Sequence, residues 1–189
     1  MKAFIQPLQS LAEFEQIQKC AGENRGIMEI SGCIESQKVH MMYGLSGLFP
    51  SHLILAEDEK RAKEIYEDYR FYDKEVYYYP AKDLLFFQAD IHGNLLIRQR
   101  MQVIKALLEK ERITVVTSID GCMDFLLPLE EIKKSLIHYE SDSPIDLDAL
   151  KDSLVALGYE RVGQVEMPGQ FSVRGGIIDI YSLTEENPW

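Results

Sequence analysis

Apolar residues fall in two rhythms along this chain, one helical and one of strands. Ile97, Met101, Ile104 and Leu108 keep helical spacing and predict a helix over Asn94 to Lys110. Ala62, Ile65 and Tyr69 do the same for a charged helix from Asp58 to Tyr69. Leu8 to Ala21 reads as a helix with Ser10 placed to cap it and Gly22 to end it. Lys38 to Phe49 reads as another, weakened by Gly44 and Gly47. Between these lie short apolar runs: Ile27–Ile30, His52–Ala56, Glu75–Tyr79 stopping at Pro80, and Arg112–Thr117. Ile119 to Leu126 forms a last short helix. Strands alternating with helices predict an α/β fold, a parallel sheet flanked by helices on both faces.

After Pro128 the rhythm changes. Ser135 to Tyr139 reads as an exposed strand and Asp142-Ser143-Pro144 as a turn. Asp146 is placed to cap a helix through Leu157, which Gly158 ends. This smaller α+β unit puts a domain boundary near Leu127, giving domains over 1–127 and 128–189. Within the second, Tyr159–Glu166 reads as a strand, and Gln170–Tyr181 as a strand, a break at Gly175-Gly176 and a second run of strand, with Pro168-Gly169 suited to a tight turn before it. A regular antiparallel register would set Gly163 opposite Arg174 and Val162 opposite Gly175. Arg161 and Arg174 would then be diagonal neighbours on an outward face shared with Gly163, Val165 and Ser172, about 7–8 Å apart. Phe171 and Val173 would face the core with Val162. The ordinary alternative is that Glu160, Asp179 or another carboxylate neutralises the pair.

Composition narrows the function. The formal net charge of −11 argues against sequence-independent binding of nucleic acid, which needs many cations on phosphate. It favours a protein or cationic partner. Cys20, Cys33 and Cys122 lie far apart without a C-x-x-C and suggest reduced, mostly buried thiols in a cytoplasmic protein. The start of the chain has no signal-peptide pattern, and no apolar run reaches the length of a membrane span.

Enzyme signals are weak. Gly32-Cys33-Ile34-Glu35-Ser36-Gln37-Lys38-Val39 has the spacing of a phosphate-binding loop, G-x-x-x-x-G-K-[ST]. Gln37 replaces the glycine that lets the backbone curl around phosphate, and Val39 replaces the hydroxyl that binds Mg²⁺. Glu35 adds a negative charge where phosphate would sit. Gly32, Gln37, Lys38 and Val39 therefore mark a degenerate loop that is not expected to bind nucleotide. His40, His52, His92 and His138 have no ligand spacing, and no metal site is expected. Tyr77–Tyr79 suggests base stacking, but partial burial at a strand end is the ordinary reading. Arg98 and Arg100 are expected to be solvated or locally paired.

Gly-Tyr-x-Arg-Val at Gly158–Val162 and Gln-Phe-Ser-Val-Arg-Gly-Gly-Ile-Ile-Asp-Ile-Tyr at Gln170–Tyr181 resemble the N-terminal, UvrB-homologous region of bacterial transcription-repair coupling factors. Tyr79-Pro80-Ala81-Lys82-Asp83, Arg100 and Thr114–Ser118 extend the likeness upstream. UvrB carries a related segment, but also an intact phosphate loop and a DNA-probing hairpin for which Leu84 to Gly93 leaves no room. The resemblance implies a non-catalytic module that recruits UvrA. Arg161 and Arg174 match two arginines that engage UvrA, and Ser172 stands where UvrB has a third. It implies a parent that translocates on DNA with ATP and Mg²⁺ and displaces stalled RNA polymerase, through parts outside this chain. The alternative is a fragment of a UvrB-like, ATP-dependent subunit that binds damaged DNA. A regulatory role, the acidic surface clamping the parent's motor, is a third expectation. The family continues with strand sequence after the position of Trp189, so a dimer contact through an exposed sheet edge, or a disordered tail over Tyr181–Trp189, is expected.

Overall fold

A computed structural model describes residues 2–23, 26–82, 90–137, 145–185 and 187–189. These residues divide into two compact units, Met1–Lys82 with Glu109–Asp124, and Asp83–Leu108 with Phe125–Trp189.

The first unit is built on a parallel sheet of order β1-β3-β2: Ser51–Ala56, Ile113–Ser118 and Val76–Tyr79. All six residues of the central strand β3 are buried, which is why its sequence is an unbroken β-prone run. Helix α4, Glu59–Tyr69, is capped by the Asp58 carboxylate, which accepts from the Arg61 amide at 2.7 Å. Its Ala62, Ile65 and Tyr69 join Val39 and Tyr43 of helix α3, Glu35–Ser46, around Val76 and Val116 of the sheet. Arg112 closes the far end of α3 by donating to the carbonyls of Ser46, Gly47 and Phe49 at 3.2–3.3 Å.

Three expectations fail here. The first helix is two, α1 over Lys2–Gln9 and α2 over Ala12–Glu23. Ser10 does not cap α2; its hydroxyl donates back to the Pro7 carbonyl at 2.7 Å. Ile27–Ile30 is not a strand, and Ile27 is 99% exposed with no sheet beside it. Gly44 is less a weakness of α3 than a notch: a Cβ there would come 2.5 Å from Leu8 Cδ1 and 2.8 Å from Phe14 Cζ, the side chains through which α1 and α2 rest on α3.

The second unit contains helix α5 (Asp90–Glu109, its last residue grouped with the first unit), helix α7 (Leu129–Lys134), helix α8 (Leu147–Ala156) and a sheet of order β4-β5-β6. The short helix after β3 is α6, Ile119–Cys122. Arg100 on α5 is 7% exposed and has a partner, so of the two expected states, solvated or locally paired, it is not the solvated one. Ser135–Ile137 is not strand, since Ser135 caps the end of α7; the rest of that expected strand, the turn at Asp142–Pro144, His138 and most of Leu84–Gly93 lie outside the described residues. The fold is thus α/β, with a parallel three-stranded sheet and a small mixed one. The cysteines are free as expected, but Cys20 and Cys122 are exposed rather than buried.

Candidate partner-docking site

The second sheet is made by β4 (Glu160–Arg161), β5 (Gln170–Arg174) and β6 (Ile177–Tyr181). Asp146 caps α8 by accepting from the amides of Asp148 and Ala149, and Gly158, at φ 86°, turns the chain out of the helix into β4. Leu150 and Leu154 of α8 pack on Phe171, with Tyr159, Val173, Ile178 and Ile180 around them. That face of the sheet is therefore core. Gln170, Ser172, Arg174 and Asp179 share the opposite face by alternation and register.

The expected hairpin across Pro168-Gly169 does not form. The turn itself is present, with Gly169 at φ 85°, but β4 pairs with β5 in parallel, Glu160 beside Gln170 and Arg161 beside Phe171. Pro168-Gly169 sets local dihedrals; it does not decide from which direction the chain reaches β5. The antiparallel hairpin is instead β5–β6, turned by Gly175 (φ 62°) and Gly176. The arginines are consequently not diagonal neighbours. Arg161 shares the face of its partner Phe171, whereas Arg174, three residues further along β5, shares the other. Both stand at the carboxyl end of their strands, about 11 Å apart along the backbone from strand spacing and rise.

Their electrostatics also differ. Arg174 is exposed but donates to Asp179 Oδ2 at 2.5 Å, the neutralisation named as the ordinary alternative. Arg161 is exposed, and its guanidinium has no hydrogen bond or ion pair among the described residues. Ser172, expected to face outward, is 1% exposed, and its hydroxyl donates to the Gly163 carbonyl at 3.0 Å. The tail folds back: Trp189 exchanges both backbone hydrogen bonds with Ile180, at 2.9 and 3.1 Å, on the outer edge of β6. Glu185 in that tail accepts from Lys105 at 2.9 Å.

The degenerate phosphate loop is closed by its own side chains. Helix α3 begins at Glu35, with Ile34 at its N-cap, so Gln37, Lys38 and Val39 lie inside the first turns rather than in a loop. Gly32 stands before it at φ 84°. Val39 is a core residue. The Lys38 ammonium pairs with Glu35 Oε1 at 2.5 Å, and Arg61 pairs with the other Glu35 oxygen. Hydrogen bonding from Lys38 foremost, with Arg61 adding its charge, holds the Glu35 carboxyl below its usual range. A carboxylate thus takes the two cations that a phosphate would need. Tyr77, Tyr78 and Tyr79 are half-buried, and Tyr78 donates to Glu59 at 2.5 Å, an arrangement that leaves no stack of free rings.

Among the described residues, no three His, Cys, Asp or Glu side chains are grouped to hold a metal, and no helix is long and apolar enough to cross a membrane. One participant, Gln170, was not singled out in the sequence, whereas Asp179 was foreseen as a counter-charge. Gln170 accepts from the amides of Glu166 and Met167, both at 3.0 Å, and Asp179 reaches Arg174 across the β5–β6 register.

Residues 137–189, which hold this sheet and its covering helix, match the family model described as the UvrB interaction domain. The chain as a whole is similar to transcription-repair-coupling factors, as the sequence motifs led one to expect. It is 34% identical over 174 residues to that of Bacillus subtilis (strain 168), an alignment covering 84% of this chain and 15% of the relative. It is 34% identical over 111 residues to that of Staphylococcus epidermidis (strain RP62A), covering 59% of this chain and 10% of the relative. For Staphylococcus haemolyticus (strain JCSC1435) the figures are 34% over 109 residues, 58% and 9%. The chain therefore spans a small part of the length of these relatives.

Proposed function

We propose that this chain is a docking module of transcription-coupled nucleotide excision repair that recruits UvrA through Arg161 and Arg174. The observation that carries the reading is one of place. The segment that matches the UvrB interaction domain contains a sheet in which Arg161 ends β4 beside Phe171 and Arg174 ends β5, both exposed to solvent, in a chain of net charge −11. Because the two cations lie on opposite faces of the sheet, UvrA would meet them by straddling its β4 edge. The module itself performs no chemistry. ATP, Mg²⁺, DNA and RNA polymerase belong to the parent's other parts, which would form a DNA translocase that displaces stalled polymerase in the bacterial cytoplasm. The plugged loop at Glu35 supports this over the UvrB-like alternative, in which this region would bind nucleotide. The test is UvrA affinity for the wild type and for Arg161→Glu/Arg174→Glu. A fall of at least about tenfold is expected from two reversed charges at one interface. Unchanged affinity would refute the docking role, and saturable ATP–Mg²⁺ binding to the wild type would favour the alternative.

A further inference from the structure

The segment from Val162 to Gly169 leaves β4 and returns to the start of β5 without regular structure of its own. Its ends are held by ladder bonds, Val162 N–H to the Phe171 carbonyl and Glu160 N–H to the Gly169 carbonyl, both 2.9 Å. Between those ends its backbone must find other partners, because an unpaired polar group under a loop is costly. Two side chains of β5 supply them. Gln170 Oε1 accepts from the consecutive amides of Glu166 and Met167 at 3.0 Å each, while its Nε2 donates to Glu160 at 3.4 Å. Ser172 donates to the Gly163 carbonyl at 3.0 Å. Gln170 and Ser172 stand two residues apart on one strand and so project from the same face.

We infer that Gln170 and Ser172 are a latch that positions Arg161 for its partner. Gly163 is only two residues beyond Arg161, and Arg161 is the last residue of a two-residue edge strand. Such a strand has too few ladder bonds to fix the direction of a long side chain. Pinning Gly163 from below and Glu166–Met167 further along holds the chain on both sides of the exposed segment. This assigns Ser172 a role other than contact: a residue 1% exposed does not reach a partner, but it sets where the residue that does reach it stands. The inference rests on the UvrA-docking reading above.

The experiment compares the 189-residue chain with Ser172→Ala, Gln170→Met and Ser172→Thr, using UvrA affinity and amide exchange of Glu166 and Met167. Circular dichroism checks that each variant is folded. Ser172→Ala and Gln170→Met are expected to weaken UvrA binding about fivefold each, the scale of one hydrogen bond. Gln170→Met also speeds exchange at the two amides it no longer holds. Ser172→Thr, which keeps the hydroxyl, restores affinity towards that of the wild type. Faster exchange in Gln170→Met with unchanged affinity would overturn the latch while leaving docking intact. So would equal weakening in Ser172→Ala and Ser172→Thr. If Arg161→Glu/Arg174→Glu binds as the wild type does, the docking reading falls first, and the two failures are thereby told apart.

Discussion

The two sheets handle cations in opposite ways. At the start of α3, Lys38 and Arg61 close on one carboxylate, Glu35, and the site that their spacing suggests is filled from within. At the end of β4 and β5, Arg174 shares a single carboxylate and Arg161 has none among the described residues. A sequence shows both only as pairs of basic residues. What separates them is how far the fold supplies the counter-charge, and a less compensated cation offers an anionic partner more to gain.

The largest effect on this contrast comes from removing the core under the open site. Phe171→Ala deletes a fully buried ring between α8 and the sheet, and should cost about 3–5 kcal/mol. Urea unfolding followed through Trp189, the single tryptophan, reads this directly because Trp189 is bonded to β6. A loss below about 1 kcal/mol would mean that α8 is not what holds the sheet. Next in size is an attempt to reopen the closed site. Glu35→Ser/Gln37→Gly/Val39→Thr restores the residue types of a phosphate loop, yet should gain no ATP affinity, since those positions are helix and core. Val39→Thr should cost about 1–3 kcal/mol by burying a hydroxyl. A nucleotide titration and a thermal melt check both parts.

A smaller effect tests the open site from the other side. Asp179→Asn releases Arg174 from its one carboxylate. UvrA affinity should rise by no more than about fivefold, the scale of an exposed ion pair. A fall would show that Asp179 serves the interface rather than competing with it. The smallest effect is a control in the first sheet. Burial, with Arg112 nearby, lowers the pKa of His52 below its usual 6.5. The unfolded chain then takes up the proton first, so stability is full above about pH 6.5 and declines as pH falls through the folded value. His52→Gln should flatten that acid-side slope in pH-dependent melts and leave UvrA binding unchanged.

Much of the fold was legible because it rests on local chemistry. Asp58 and Asp146 cap the helices they precede, Gly158 takes the left-handed turn after α8, and the unbroken β-prone run of β3 marks a strand buried on both sides. The break between α1 and α2 was less legible, since Ser10 suits a cap by residue type but bonds backward to Pro7. Gly44 read as a weak point of a helix because its worth lies in Leu8 and Phe14, which reach it only in three dimensions. Of the candidate site, the identities of Arg161 and Arg174 were readable and their geometry was not. The Gly175-Gly176 hairpin decides which edge of β5 is left for β4, and the path of the 162–169 segment decides that β4 runs parallel along it.

The sequence by itself determined the rhythm of helices and strands, the erosion of the phosphate loop at Gln37 and Val39, and the motif that holds both arginines. These follow from side-chain volume, turn chemistry and residue type, which act over a few positions. The tertiary structure alone decided that β4 runs parallel to β5, that Ser172 is buried, and that the arginines stand on opposite faces of the sheet. Each of those depends on pairing between residues eight or more positions apart, where the competing registers satisfy the same local preferences and only the packing of α8 and the 162–169 segment separates them.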